Sequence, residues 1–173
     1  MRLLLATALS LALPSGLLAA GSDDSNPPKT VHCSTGEVYD EGAKKCVETS
    51  HHNMDTDSLY AAVRTLAYQE RYREAQDLLA DMPQDDDRTL TYLGFTHRKM
   101  GNIDTAMTYY SAALARNPGN ILARSYMGQG MVADGHVSAA LEQLRAIREY
   151  GGKGTWAEAS LRTAIASGRT FNY

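Results

Sequence analysis

Apolar residues recur at helical spacing from Ser58 onward. A first stripe, with apolar positions three and four residues apart, is followed after a short polar break by a second. The positions are Leu59, Ala62, Val63, Leu66, Ala75, Leu78 and Leu79. Such spacing places apolar side chains on one face of a helix. The pattern predicts two antiparallel helices, and the same helix-break-helix unit recurs further along the chain.

The N-terminal region has a different pattern. Residues 1–21 combine an early Arg2, an apolar run ending at Leu13 and small residues around Ala20, which is the order typical of a secretory signal peptide. The apolar run is about half of the roughly 20 residues that a membrane-spanning helix needs. We therefore expect an exported protein without a membrane span, with the periplasm as the favoured compartment and secretion as the alternative.

Residues 22–55 predict a flexible leader that contains both cysteines, Cys33 and Cys46. Export to an oxidising compartment favours a disulfide between them. Val38 and Tyr39 lie between turn-forming glycines, which predicts a small hairpin inside the closed loop. We expect the loop to be separate from the helices.

The Cys33–Cys46 loop also resembles, over a short stretch, half of a chitin-binding knot. This resemblance implies that Tyr39 stacks on a sugar ring. It supplies an alternative function, that of a cell-wall glycan-binding accessory protein that uses the Cys33–Cys46 loop.

A shift of 34 residues places Asp87–Asn120 over Ile121–Gly154 with repeated matches. The pairs are Leu93 with Met127, Gly94 with Gly128, Gly101 with Gly135, Ala106 with Ala140, and Tyr110 with Leu144. A period of this length indicates a helical repeat. The unit from Asp87 resembles the tetratricopeptide repeat, in whose pattern only His97 departs from type. The matching residues are Leu90, Leu93, Gly94, Gly101, Ala106, Tyr110, Ala113 and Pro118.

The resemblance covers about residues 56–154. The unit from Ile121 has Ile147 where the family has Ala, and two glycines where the family has Pro. Thr155 and Glu158 form a capping-box pattern that opens a further helix, with Gly168 as its stop. The predicted fold is all-α: about three tetratricopeptide helix hairpins plus a C-terminal cap helix over residues 56–168, followed by a tail at 169–173.

Composition and motifs favour neither catalysis nor nucleic-acid binding. The chain has 17 Lys and Arg against 20 Asp and Glu, a net charge of −3 without a basic block. The sequence contains no nucleophile elbow and no phosphate-binding loop. His51 and His52 with Asp55 and Asp57 have the residue types of a weak metal site, but their polar surroundings favour a solvated linker. We expect no enzyme activity, no cofactor and no metal.

In the family that this chain resembles, the first helix of each hairpin lines a concave groove. The corresponding residues here are Tyr60, Arg64, Tyr68, Arg88, Thr91, Phe95, Arg98, Lys99, Ser125, Tyr126 and Gln129. Aromatic and arginine side chains are enriched at protein interfaces. The four basic residues favour an acidic or C-terminal peptide. The alternative is that residues such as Phe95 and Tyr126 pack between helices.

These observations predict a non-enzymatic interaction module or scaffold that binds a protein or peptide segment in the concave repeat groove. The partner is expected to be a protein or peptide, for which an acidic segment would suit the groove, and not a nucleic acid. The sequence leaves the oligomeric state open.

Overall fold

A computed structural model describes residues 31–40, 43–48 and 54–171. The described residues form two strands and seven helices: β1 (Glu37–Asp40), β2 (Lys45–Glu48), α1 (Thr56–Tyr68), α2 (Tyr72–Ala80), α3 (Asp87–Lys99), α4 (Ile103–Arg116), α5 (Ile121–Ala133), α6 (Val137–Glu149) and α7 (Trp156–Ser167). The predicted signal peptide at 1–21, His51 and His52 lie outside the described residues.

The helices pack as consecutive pairs, α1 with α2, α3 with α4 and α5 with α6, and α7 closes the last pair. Helices α1, α3, α5 and α7 also contact one another in that order, so they form a continuous layer. We call these four helices the inner layer. The predominantly helical fold predicted from the sequence is confirmed, and the seven helices lie between Thr56 and Ser167.

Each inner-layer helix begins with a side-chain cap. Asp55 accepts from the Ser58 N–H at 2.8 Å, and Asn120 accepts from the Ala123 N–H at 2.8 Å. Asp86 caps α3, and Thr155 caps α7 as the sequence predicted. Helices α2, α4 and α6 have no such cap hydrogen bond. An N-cap satisfies backbone donors that the helix leaves open, which fixes where each inner helix starts.

The two departures of the third hairpin from the repeat pattern compensate for each other. Ile147 is fully buried, and a Cβ at Gly152 would lie 2.7 Å from its Cγ2 atom. Only a glycine leaves room there for the branched side chain. The nearby Gly151 has a positive φ of 82°, which turns the chain out of α6.

The N-terminal hairpin packs on the helices. Cys33 and Cys46 form a disulfide with their Cα atoms 5.6 Å apart. Val38 in β1 is 1% exposed and belongs to the same core as α1 and α2. The Arg71 guanidinium donates to the Ser34 carbonyl at 3.1 Å and to the Glu37 carbonyl at 3.2 Å.

This docking corrects the predicted independent leader. The predicted disulfide is present, but the hairpin that it closes is an extension of the first helix pair. The physical reason is that Val38 supplies apolar area that α1 buries, and Arg71 satisfies backbone carbonyls at the turn.

Within the described part of the chain, no helix has the length and apolar character needed to cross a membrane.

Candidate binding groove

The structure places all eleven predicted groove residues on the inner-layer helices, but most of them are buried. Seven are less than a tenth exposed: Tyr60, Thr91, Phe95, Arg98, Ser125, Tyr126 and Gln129. Four are partly exposed: Arg64, Tyr68, Arg88 and Lys99. This corrects the expected open groove, because neighbouring inner helices lie close enough for the larger side chains to fill the space between them.

Aromatic side chains fill the space between neighbouring inner-layer helices. One ring or more from each inner helix contributes, and we call the set Tyr60, Tyr92, Phe95, Tyr126 and Trp156 the aromatic row. Successive rings meet mostly edge to face: the centroids of Tyr60 and Tyr92 are 5.6 Å apart, those of Tyr92 and Tyr126 are 6.3 Å apart, and those of Tyr126 and Trp156 are 6.1 Å apart. Such pairs add to the free energy of area burial. The row therefore joins the four helices into one core.

Arg88 is held by acidic neighbours. Its guanidinium donates to Asp57 at 2.8 Å and to Asp86 at 3.4 Å, and it lies 5.0 Å from the centroid of the Tyr60 ring. The hydrogen bond to Asp57 raises the pKa of Arg88, with Asp86 adding to the effect. Its charge is thus neutralised within the chain, so Arg88 adds less to a positive groove than the sequence suggested.

Arg98 is in the opposite situation. The residue is 7% exposed, its Nε donates to the Tyr110 hydroxyl at 3.4 Å, and no carboxylate of the described residues pairs with it. Its Nη2 atom is buried without a hydrogen-bond partner. A buried charge without a counter-ion is costly. Arg98 is therefore a mostly buried cation that has no ion pair among the described residues.

Lys99 follows Arg98 at the end of α3. Burial, and after it the charge of Arg98, lower the pKa of Lys99 from 10.5 to about 8, and Glu70 opposes the shift. Both cations lie over the Phe95 ring, with Arg98 Cζ at 5.7 Å and Lys99 Nζ at 5.8 Å from its centroid. The two adjacent cations destabilise each other, so an anion placed here would stabilise both.

A second polar spot lies between α5 and α7. The Gln129 amide donates from Nε2 to Ser125 Oγ at 3.3 Å, and Ser125 Oγ is 3.0 Å from Ser160 Oγ. The Gln129 Oε1 atom accepts from the backbone N–H of Phe171 at 2.7 Å. The residues after α7 therefore return to the inner layer.

Tyr92 and Phe171 are not among the residues that the sequence predicted for the groove. Tyr92 and Tyr126 are 34 residues apart, so the same period that matched the glycines also pairs these two rings. That recurrence was an available clue to the aromatic row. No comparable sign pointed to Phe171, because the five-residue tail at 169–173 is too short to show a period.

The other two candidate sites are a metal site and the glycan-binding Cys33–Cys46 loop. Among the residues that the structure describes, no group of three or more His, Cys, Asp or Glu side chains could hold a metal ion. Tyr39 lies in β1 opposite Cys46 and is partly exposed. The glycan-binding role of the Cys33–Cys46 loop stays a prediction.

Neither the known family models, nor the curated proteins, nor the solved structures contain a match to this chain.

Proposed function

We propose that this chain is an exported, non-enzymatic interaction module of the tetratricopeptide kind, which binds an acidic peptide segment along its inner layer. The observation that carries the proposal is the buried Arg98 without an ion pair, directly beside Lys99 with its lowered pKa. A protein that only needed to fold would gain from an apolar residue in place of a buried cation that has no ion pair. A carboxylate supplied by a partner would form the ion pair that Arg98 lacks within the chain.

Lys99 is the point of first contact in this proposal. Its side chain is partly exposed, whereas Arg98 lies behind it. A partner carboxylate that approaches Lys99 enters the positive potential of both side chains. Partial burial strengthens this attraction, because charges inside a protein are less screened than charges in water.

The aromatic row supports an extended, partly apolar segment as the partner. Tyr68 and Arg64 are partly exposed at the α1 end, and Arg64 Cζ lies 5.8 Å from the Tyr60 ring centroid. Aromatic rings and arginine fork geometry provide apolar area together with directional polar groups. A segment with one acidic and one or more apolar side chains fits this combination.

The disulfide and the predicted signal peptide support an exported location, since disulfides persist in oxidising compartments. The periplasm is the compartment that we favour.

Selection of random heptapeptides on the immobilised chain tests the proposed function. We expect enrichment of peptides that combine Asp or Glu with an aromatic residue. The same selection on Arg98→Met, which keeps the aliphatic packing of the side chain, should lose the acidic preference. Arg145→Met, the same change at an exposed position on α6, is the matched control and should enrich the same peptides as the wild type. Enrichment without acidic residues, or with equal acidity on Arg98→Met, contradicts the proposal.

A further inference from the structure

The chain after α7 turns back instead of continuing away from the array. Gly168 ends α7 with a positive φ of 71°, and its N–H donates to the Ala164 carbonyl at 2.8 Å. The Arg169 N–H donates to Ser167 Oγ at 3.3 Å. A left-handed residue at this position is a common helix stop, and glycine adopts it without strain. The turn directs residues 169–171, which we call the tail segment, toward α5.

Two contacts hold the tail segment on the inner layer. The backbone N–H of Phe171 donates to Gln129 Oε1 at 2.7 Å, across 42 residues of sequence. The Phe171 side chain packs against the core cluster that α5, α6 and α7 share, which includes Leu161 and Ala164. The tail segment therefore occupies part of the surface at which the third hairpin would meet a partner.

The hydrogen bond from Phe171 to Gln129 uses a backbone N–H, so it does not depend on the identity of the side chain at residue 171. Gln129 is fully buried, and its Nε2 is already directed to Ser125. Its Oε1 atom is thus pre-oriented as an acceptor for any backbone N–H that reaches it. A buried carbonyl left without a donor is costly, so the site favours being filled. An extended segment from another chain offers the same N–H.

Gln129 is adjacent in sequence to Gly130, which lies beside Arg98. A Cβ at Gly130 would lie 3.1 Å from Arg98 Cδ, so the residue that follows Gln129 contacts the Arg98 side chain. The tail segment, Arg169-Thr170-Phe171, supplies an aromatic ring and a backbone N–H but no carboxylate. A partner segment with both an aromatic and an acidic residue would make both kinds of contact.

We propose that the tail segment is an intramolecular occupant of the groove, and that partners bind by displacing it with a segment that places an aromatic side chain and a backbone N–H at Gln129. This inference rests on the proposed function, since it names the chemistry of the partner at the same groove. A tethered occupant competes at a high effective concentration, which lowers the apparent affinity of every partner.

The test uses the full chain and a labelled hexapeptide with the sequence of residues 168–173, followed by fluorescence anisotropy. Phe171→Ala releases the tethered segment, so the hexapeptide should bind this variant about tenfold more tightly than the wild type. Phe171→Leu keeps part of the apolar contact and should lie between the two. Adding Gln129→Leu to Phe171→Ala should abolish binding, as should an Ala in place of Phe in the hexapeptide. Circular dichroism confirms that each variant is folded.

Three results would overturn the inference. The first is equal hexapeptide binding by wild type and Phe171→Ala, and the second is no binding to any variant. The third is a wild-type dimer in light scattering that dissociates on Phe171→Ala, because the tail would then occupy the groove of a second copy.

The heptapeptides selected for Arg98-dependent binding separate this inference from the proposed function. If they bind wild type and Phe171→Ala equally, the tail does not compete while the groove function stands. If the hexapeptide binds as expected but no Arg98-dependent heptapeptide exists, the tail inference stands and the proposed acidic partner fails.

Discussion

The ring of Tyr110 lies directly against the backbone of Gly94, so that a Cβ at residue 94 would be 2.6 Å from the Tyr110 Cε1 atom. Tyr110 is fully buried, and burial raises its pKa to about 12. Its hydroxyl accepts from Arg98 Nε at 3.4 Å. The close crossing of α3 and α4 at Gly94 thus determines where Tyr110 lies and which group holds the candidate cation.

Gly94→Ala should destabilise the fold despite the better helix propensity of alanine. Overpacking a close contact costs about 1–3 kcal/mol, whereas replacing a mid-helix glycine gains up to about 1 kcal/mol. We expect a net loss of about 1–2 kcal/mol in the free energy of unfolding, measured by urea denaturation. In a Tyr110→Leu background the same change should be neutral or stabilising. A destabilisation of equal size in both backgrounds would show that the ring contact is not the cause.

The contact between Gly94 and Tyr110 could be predicted from the sequence because both residue types recur with the repeat. Glycine at 94 and 128 and a bulky residue at 110 and 144 recur with the repeat, and small-next-to-large packing is what closely crossing helices need. In the third hairpin, the side chain nearest to Gly128 is Leu161 of α7, not Leu144. The period therefore predicts that a close approach occurs but not always with which helix.

The hairpin docking and the tail return were not accessible, because neither involves the period. Val38 lies in a four-residue strand and Phe171 in a five-residue tail, and both segments are too short to show a period. Their partners gave no sign of these contacts: Arg71 is the residue directly before α2, and Gln129 was predicted as a groove residue rather than as an acceptor for the tail. Which residues of the inner layer are buried also depends on the distance between neighbouring hairpins, which a pattern along one chain does not encode.

The docked hairpin predicts that the disulfide stabilises the helices. Changing both Cys33 and Cys46 to Ser should lower the thermal midpoint of helical unfolding, because closing a loop of this size contributes about 3 kcal/mol to a hairpin whose Val38 is part of the core. Circular dichroism at a helical wavelength measures the midpoint. An unchanged midpoint would mean that the hairpin and the helices unfold independently.

Arg71 and Arg73 form a matched pair for the same interface. Arg71→Met removes the donors to the Ser34 and Glu37 carbonyls and the ion pair with Glu74. We expect a loss of about 1–3 kcal/mol in the free energy of unfolding, the usual range for hydrogen bonds to charged groups. Arg73→Met is the same change at an exposed position of α2 and should cost less than about 0.5 kcal/mol. Equal losses would contradict the role of Arg71 in docking.

Lys99 predicts an unusual pH dependence of stability. Its pKa is lowered from 10.5 to about 8 in the folded state by burial and by Arg98. Between these two values the folded chain binds fewer protons than the unfolded chain, so the free energy of unfolding should rise from pH 8 to pH 10.5. Lys99→Met should be more stable than the wild type at neutral pH, and its stability should rise less across that window. If the free energy of unfolding changed with pH equally in the wild type and Lys99→Met, Lys99 would not be the cause of the pH dependence.

The groove charges predict that partner binding weakens with salt. For the acidic heptapeptides, affinity should fall as the ionic strength rises above about 0.1 M, where the screening length is about 10 Å. Lys99→Met should reduce this salt dependence, whereas Lys153→Met, at an exposed position between α6 and α7, should not. Isothermal titration calorimetry at two ionic strengths measures the effect. Salt dependence that survives in Lys99→Met would place the charge contact elsewhere.

The most direct test of the central claim is side-chain nuclear magnetic resonance during titration with a selected acidic heptapeptide. The arginine Nε–H and lysine Nζ signals report on Arg98 and Lys99 one by one. We predict that their chemical shifts move first and furthest, and that the pKa of Lys99 rises from about 8 as the carboxylate arrives. Shifts confined to the outer side of the array, at Ile103 and Val137, with the Arg98 and Lys99 signals unmoved, would contradict a binding site on the inner layer.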